Sequence, residues 1–267
     1  MIEWSWEPSV ILGSLLLAGG YLACVGPLRD RFRGAAAVSS WRVAAFLLGV
    51  SALFLALASP LDELSDHYLL SAHMLQHLLL TLVMPPLLLL GTPAWLLRPL
   101  LRSPRLAALA RFWTRPLVAF LVFNVTIAFS HFPVIYNLAL EDEHLHVALH
   151  LAYMVTAVAA WWPVVSPLPE LPALSYPLRM LYLFLNTIPG GLVGALISLS
   201  DSVIYPTYAA APRLFGLTAL GDQQLGGLIM WLGVSTYYFV LMTAIFFIWA
   251  NREEATLVAS PRGRGSG

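Results

Sequence analysis

The sequence contains no lysine, and its 14 arginines are matched by 14 acidic residues, for a net charge of zero. Charged residues make up only 10% of the chain, against about 25% in soluble globular proteins. So few charges cannot coat a water-facing surface of this size. There is no basic stripe of the kind a nucleic-acid interface requires, which excludes that class of partner. A single cysteine, Cys24, excludes an internal disulfide and any Cys-x-x-Cys metal or redox motif. The N-terminus carries Glu3 and Glu7 where a secretory signal would be basic, which predicts that no leader is cleaved.

What fills the chain is apolar sequence, 59% of all residues. Seven apolar runs stand between charged or Pro/Gly-rich breaks: 8–26, 41–59, 67–91, 116–136, 144–165, 178–200 and 222–250. Each is near the roughly 20 residues that a helix needs to cross hydrocarbon. Backbone in lipid must bond within its own segment, so the runs predict helices rather than strands. The expected fold is all-α, a polytopic bundle of seven transmembrane helices. It forms one domain over 1–251, followed by a disordered cytoplasmic tail, 252–267, that ends in Gly, Arg and Ser. Pro85–Pro86 in the third run and Pro189 in the sixth predict kinks or breaks, where neighbouring helices must cover the freed carbonyls.

Arginine sets the direction. Arg29, Arg31, Arg33 and Arg42 separate runs one and two, and Arg98, Arg102, Arg105, Arg111 and Arg115 separate three and four. Arg179 precedes run six, and Arg252, Arg262 and Arg264 follow run seven. These alternate connections share one side, which the positive-inside rule makes cytoplasmic. The opposite side holds Asp62, Glu63, Asp66, Glu141, Asp142, Glu143, Asp201 and Asp222, with Arg213 as its only arginine. The N-terminus is therefore expected outside and the C-terminus inside. Trp95, Trp113, Trp161, Trp162 and Trp249 fall near the cytoplasmic boundary and read as an interfacial belt.

All seven histidines fall at the outer ends of runs three, four and five. His73 and His77 are i and i+4, as are His146 and His150, so each pair shares a helix face. With His131 they predict one pocket in the outer half of the bilayer, where ionisable side chains mark function by default. Imidazole suits copper, zinc, iron and nickel, and thioether favours Cu(I). Met74 and Met230 at similar depth are candidate ligands, and Asp222 and Asp62 are candidate ligands or supports for them. His67 and His144 read as solvated boundary residues. The Asp62–Glu63–Asp66 cluster reads as a solvated loop whose charge also draws cations.

The sequence resembles the Bacillus-type CtaG family, the assembly factors of caa3-type cytochrome c oxidase. The resemblance is carried by Ser59-Pro60-Leu61-Asp62, Ser71-Ala72-His73-Met74-Leu75-Gln76-His77, Pro85-Pro86 through Pro93, and His131-Phe132-Pro133 with Tyr136. His146, His150, Trp161-Trp162-Pro163-Val164 and Asp222-Gln223-Gln224 through Trp231 complete it, in order. It implies a multi-pass protein of the bacterial cell membrane, with cytochrome c oxidase subunits as partners. Its role would be to aid copper delivery, with His73, His77, His131, His146 and His150 as the ligand set and no catalysis of its own. Cys24 alone cannot supply the mechanism of the unrelated single-span, cysteine-based copper chaperone that shares the CtaG name. Three alternatives stay open on the residues: a seven-span zinc hydrolase with Asp62 or Asp222 as base, a b-type haem carrier with histidines as axial ligands, and a metal-free chaperone that holds an oxidase subunit during assembly.

Overall fold

The computed structural model describes residues 4–259, which form helices and connecting turns with no strand among them. The helices α1 (Pro8–Val25) and α2 (Ser40–Ala58) are separated by a turn that carries Arg29, Arg31 and Arg33. A short α3 (Pro60–His67) follows, then α4, Leu70–Gly91. Next come α5 (Pro104–Trp113), α6 (Pro116–Ser130), α7 (Pro133–Glu141), α8 (Glu143–Trp161) and α9 (Tyr176–Ser198). A short α10 (Pro206–Ala210) leads to α11, which runs as Ala219–Leu228, a π turn at Ile229–Gly233, and Val234–Ala259. Six helices are long and apolar enough to cross a bilayer, or seven if α5 and α6, bent by 69° at their junction, make one span.

Two expected runs divide. The third does not begin at His67: Leu69 is extended and a new helix starts at Leu70. The cause is a carboxylate 152 residues away. Asp222 of α11 accepts from the Leu70 N–H (2.7 Å), the Ser71 N–H and the Ser71 hydroxyl, so it caps α4 from outside. The fourth run stops at Ser130 instead of Tyr136. Phe132 precedes Pro133, which disfavours helical backbone there, and Phe132 is extended. The final helix continues to Ala259, past the boundary expected at 251. Trp249 donates to Glu253 (3.1 Å) and Thr256 to the Arg252 carbonyl (2.9 Å) along this extension. Residues 260–267 lie outside the described residues.

α4 is the most enclosed of the candidate spans. It packs on α2, α8 and α11. It carries Pro85–Pro86 without breaking, through a π turn at Leu79–Val83. The two prolines deprive the carbonyls of Thr81 and Leu82 of their helical donors. Trp161 Nε1 bonds the first (2.7 Å) and the Tyr237 hydroxyl the second (2.8 Å). Trp161 is buried in making this bond, and Trp95 is buried too, which corrects their reading as belt residues. α9 is likewise unbroken at Pro189. Its Gly194 and Gly227 of α11 let the two backbones touch: a Cβ on Gly227 would stand 2.5 Å from Ser198 N. Pro189 removes one backbone bond from α9, and the helix continues through it.

Candidate metal centre

Three helices and one turn bring the histidines together. Asp142 caps α8 by accepting from the Leu145 N–H (3.0 Å), which fixes where His146 and His150 begin their face. Asp222 fixes the start of α4, one turn before His73. His131 is the residue that ends α6. The imidazoles of His73 and His77 lie 4.2 Å apart between ring centroids, and those of His146 and His150 4.3 Å. Across helices, His73 is 6.3 Å from His150 and 6.2 Å from His146. His77 is 5.8 Å from His150 and 5.5 Å from His131.

These histidines do not share one chamber. An upper cavity of about 10 Å³, room for one water or ion, is lined by His73, His77, His146 and His150 with Tyr136 and Tyr153. A deeper cavity of about 40 Å³ is lined by His77, His131, Met74 and Met230 with Asn124 and Asn186. His77 belongs to both. His131 and the two methionines stand at the deeper one, where the sequence reading had gathered everything into a single pocket.

Among the described residues, five buried ring nitrogens have no hydrogen-bond partner: His73 Nδ1, both nitrogens of His77, His131 Nε2 and His150 Nε2. Leaving a buried polar atom unpaired costs about 1–3 kcal/mol. His131 Nδ1 lies 2.7 Å from the Ile127 carbonyl and 3.2 Å from the Ser130 hydroxyl. A proton on that nitrogen leaves Nε2 with its lone pair, the arrangement usual for a metal-binding imidazole. His146 Nε2 lies 3.6 Å from Asp66 Oδ1, so a carboxylate stands behind the upper group.

The donors are imidazole nitrogen and thioether sulfur, types that soft and borderline metals take. The four cross-element centroid separations run from 5.5 to 6.3 Å, so imidazoles from α4, α8 and the end of α6 stand near one another. Among the described residues no group of three or more His, Cys, Asp or Glu side chains is placed so as to hold a metal ion. The imidazoles surround a gap instead.

The remaining candidates have other partners. Asp222 has its carboxylate committed to α4. Asp62 accepts from Gln76 Nε2 (2.9 Å), which also donates to the Ala56 carbonyl (2.9 Å). Burial, and then the neighbouring Asp66 charge, push the Asp62 carboxyl up to about 7. It lines neither cavity. His67 and His144 are exposed, as expected. Sequence reasoning missed Asp66 as a support for His146, Gln76 as the tie from α4 to α2 and α3, and Tyr153 as a cavity wall. A buried glutamine between two histidines of an apolar helix was the available signal for Gln76.

The class of protein is thus a multi-pass helical membrane protein with a buried histidine cluster at one end of its bundle. The chain belongs to the cytochrome c oxidase caa3 assembly factor family (Caa3_CtaG), whose profile matches residues 19–252. Uncharacterized proteins of Mycobacterium bovis and Mycobacterium tuberculosis are each 24% identical over 94% of this chain and 40% of their own length. One of Mycobacterium leprae is 23% identical over 97% of this chain and 41% of its own. The chain therefore spans about 40% of the length of these relatives. No solved structure matches it.

Proposed function

We propose that this protein assists assembly of cytochrome c oxidase by accepting Cu(I) in its histidine pocket and delivering it to an oxidase subunit in the membrane. The carrying observation is the set of unpartnered, buried ring nitrogens of His73, His77, His131 and His150 around two cavities. Their lone pairs meet no donor among the described residues and suit a soft or borderline cation. Neutral imidazole and thioether release copper more readily than thiolate would, which suits a carrier. Copper here is cargo, and the residues bind and position it without catalysis.

Direction follows from charge. With α5 and α6 as one span, the bundle crosses seven times, N-terminus out and C-terminus in. The pocket then opens at the acidic, extracytoplasmic end of the bacterial cell membrane, near Asp66. The hydrolase and haem readings lose support. A hydrolase needs a carboxylate base facing its metal, and neither Asp62 nor Asp222 lines the upper cavity. Cavities of about 10 and 40 Å³ fall far short of a porphyrin.

The test is complementation in the native host. Cells lacking the protein should accumulate oxidase polypeptide that is deficient in copper. The wild-type chain should restore copper content, and His73→Ala/His77→Ala should not. Full restoration by the double variant would defeat the proposal.

A further inference from the structure

The two cavities differ in chemistry as well as depth. The upper one offers imidazole nitrogens, the phenols of Tyr136 and Tyr153 and the Ser130 hydroxyl, with no thioether in its lining. The deeper one adds the thioethers of Met74 and Met230, both buried, in largely apolar surroundings. Each π turn of the bundle contributes to this deeper wall: Thr81 and Leu82 come from the turn in α4, and Met230 from the turn in α11. A π turn inserts one residue's worth of rotation, and such turns collect at functional sites. His77 stands between the chambers with both ring nitrogens buried and unpartnered, and its ring is 5.5 Å from His131 and 5.8 Å from His150.

From this juxtaposition we infer that Cu(I) occupies two alternate stations, an upper all-nitrogen one and a deeper one of His77, His131, Met74 and Met230, with His77 as the shared ligand that carries it between them. This rests on the copper reading above and extends it. A neutral imidazole has one lone pair, so His77 serves one station at a time and the chain holds one ion. In the transfer His77 keeps its bond while its ring swings about Cα–Cβ. Bonds to His73 and His150 break, and bonds to His131 Nε2 and the two sulfurs form. The metal stays Cu(I), and no electron or proton moves. Thioether ligation favours Cu(I) over Cu(II) and Zn(II), so the deeper station also selects the cargo.

X-ray absorption of the purified full chain loaded with one equivalent of Cu(I) separates the readings. Wild type should bind about one copper with a mixture of nitrogen and sulfur scattering. His146→Ala/His150→Ala should still bind one copper, with sulfur scattering increased. Met74→Leu/Met230→Leu, which conserves volume, should bind one copper with nitrogen alone. Sulfur scattering that is absent from wild type and from His146→Ala/His150→Ala overturns the two stations while leaving copper binding intact. Failure of wild type to bind copper at all overturns both.

Discussion

At the scale of single residues, the decisive contrast is between histidines of the same type in different surroundings. His77 is buried with neither nitrogen paired, and His144 is exposed on the same side of the bundle. His77→Ala should weaken Cu(I) affinity at least tenfold, and His144→Ala should leave it unchanged. Competition titration against a Cu(I) chelator checks both, and equal effects would count against the pocket. Asp62 supplies a second residue-scale prediction. Its carboxyl titrates at about 7 when folded, against about 3.9 in an unfolded chain. A raised folded value means that the native state binds the proton more tightly. Its stabilising contribution is therefore complete below about pH 4 and is lost as pH rises through 7. The thermal midpoint in detergent should fall over that window in wild type, and less so in Asp62→Asn. Parallel profiles for the two proteins would contradict this.

At the scale of elements, the bundle tolerates its prolines because distant donors replace the missing ones. Trp161→Phe keeps an aromatic but smaller side chain and removes the bond to the Thr81 carbonyl, within the π turn of α4. It should cost about 1–3 kcal/mol, measurable by unfolding in mixed detergent. Gly227→Ala should cost at least as much, because its Cβ would meet the backbone of Ser198 and Gly194. These contacts explain what local pattern could and could not reveal. The histidine pairs were legible because i,i+4 spacing fixes a shared face whatever else the helix does. The need to cover carbonyls freed by Pro85–Pro86 was legible too, but not that Trp161 and Tyr237 would cover them. The Asp222 cap was invisible for the same reason: it joins positions 152 apart. The separation of His131 from the upper group arises from the turn before Pro133, which ends α6 early. Pro133 was the available signal for that turn, inside a run otherwise apolar enough to read as one span.

At the scale of the whole molecule, charge asymmetry and the site agree. Arg31, Arg33, Arg98 and Arg102 line one crevice with Glu170, while the histidine cluster adjoins Asp66 at the other end of α4. Reporter fusions after Ala259 and before Trp4 should report cytoplasmic and extracytoplasmic positions respectively, and both ends on one side would refute the seven-span reading. The chain belongs to the oxidase assembly family, and the proposed cargo would meet the two cavities at that end of the bundle. The most direct measurement is anaerobic titration of the purified full chain with Cu(I). The account predicts about one tightly held copper in wild type and its loss in His73→Ala/His77→Ala with helix content unchanged. Copper retention by wild type no greater than by that double variant would contradict it.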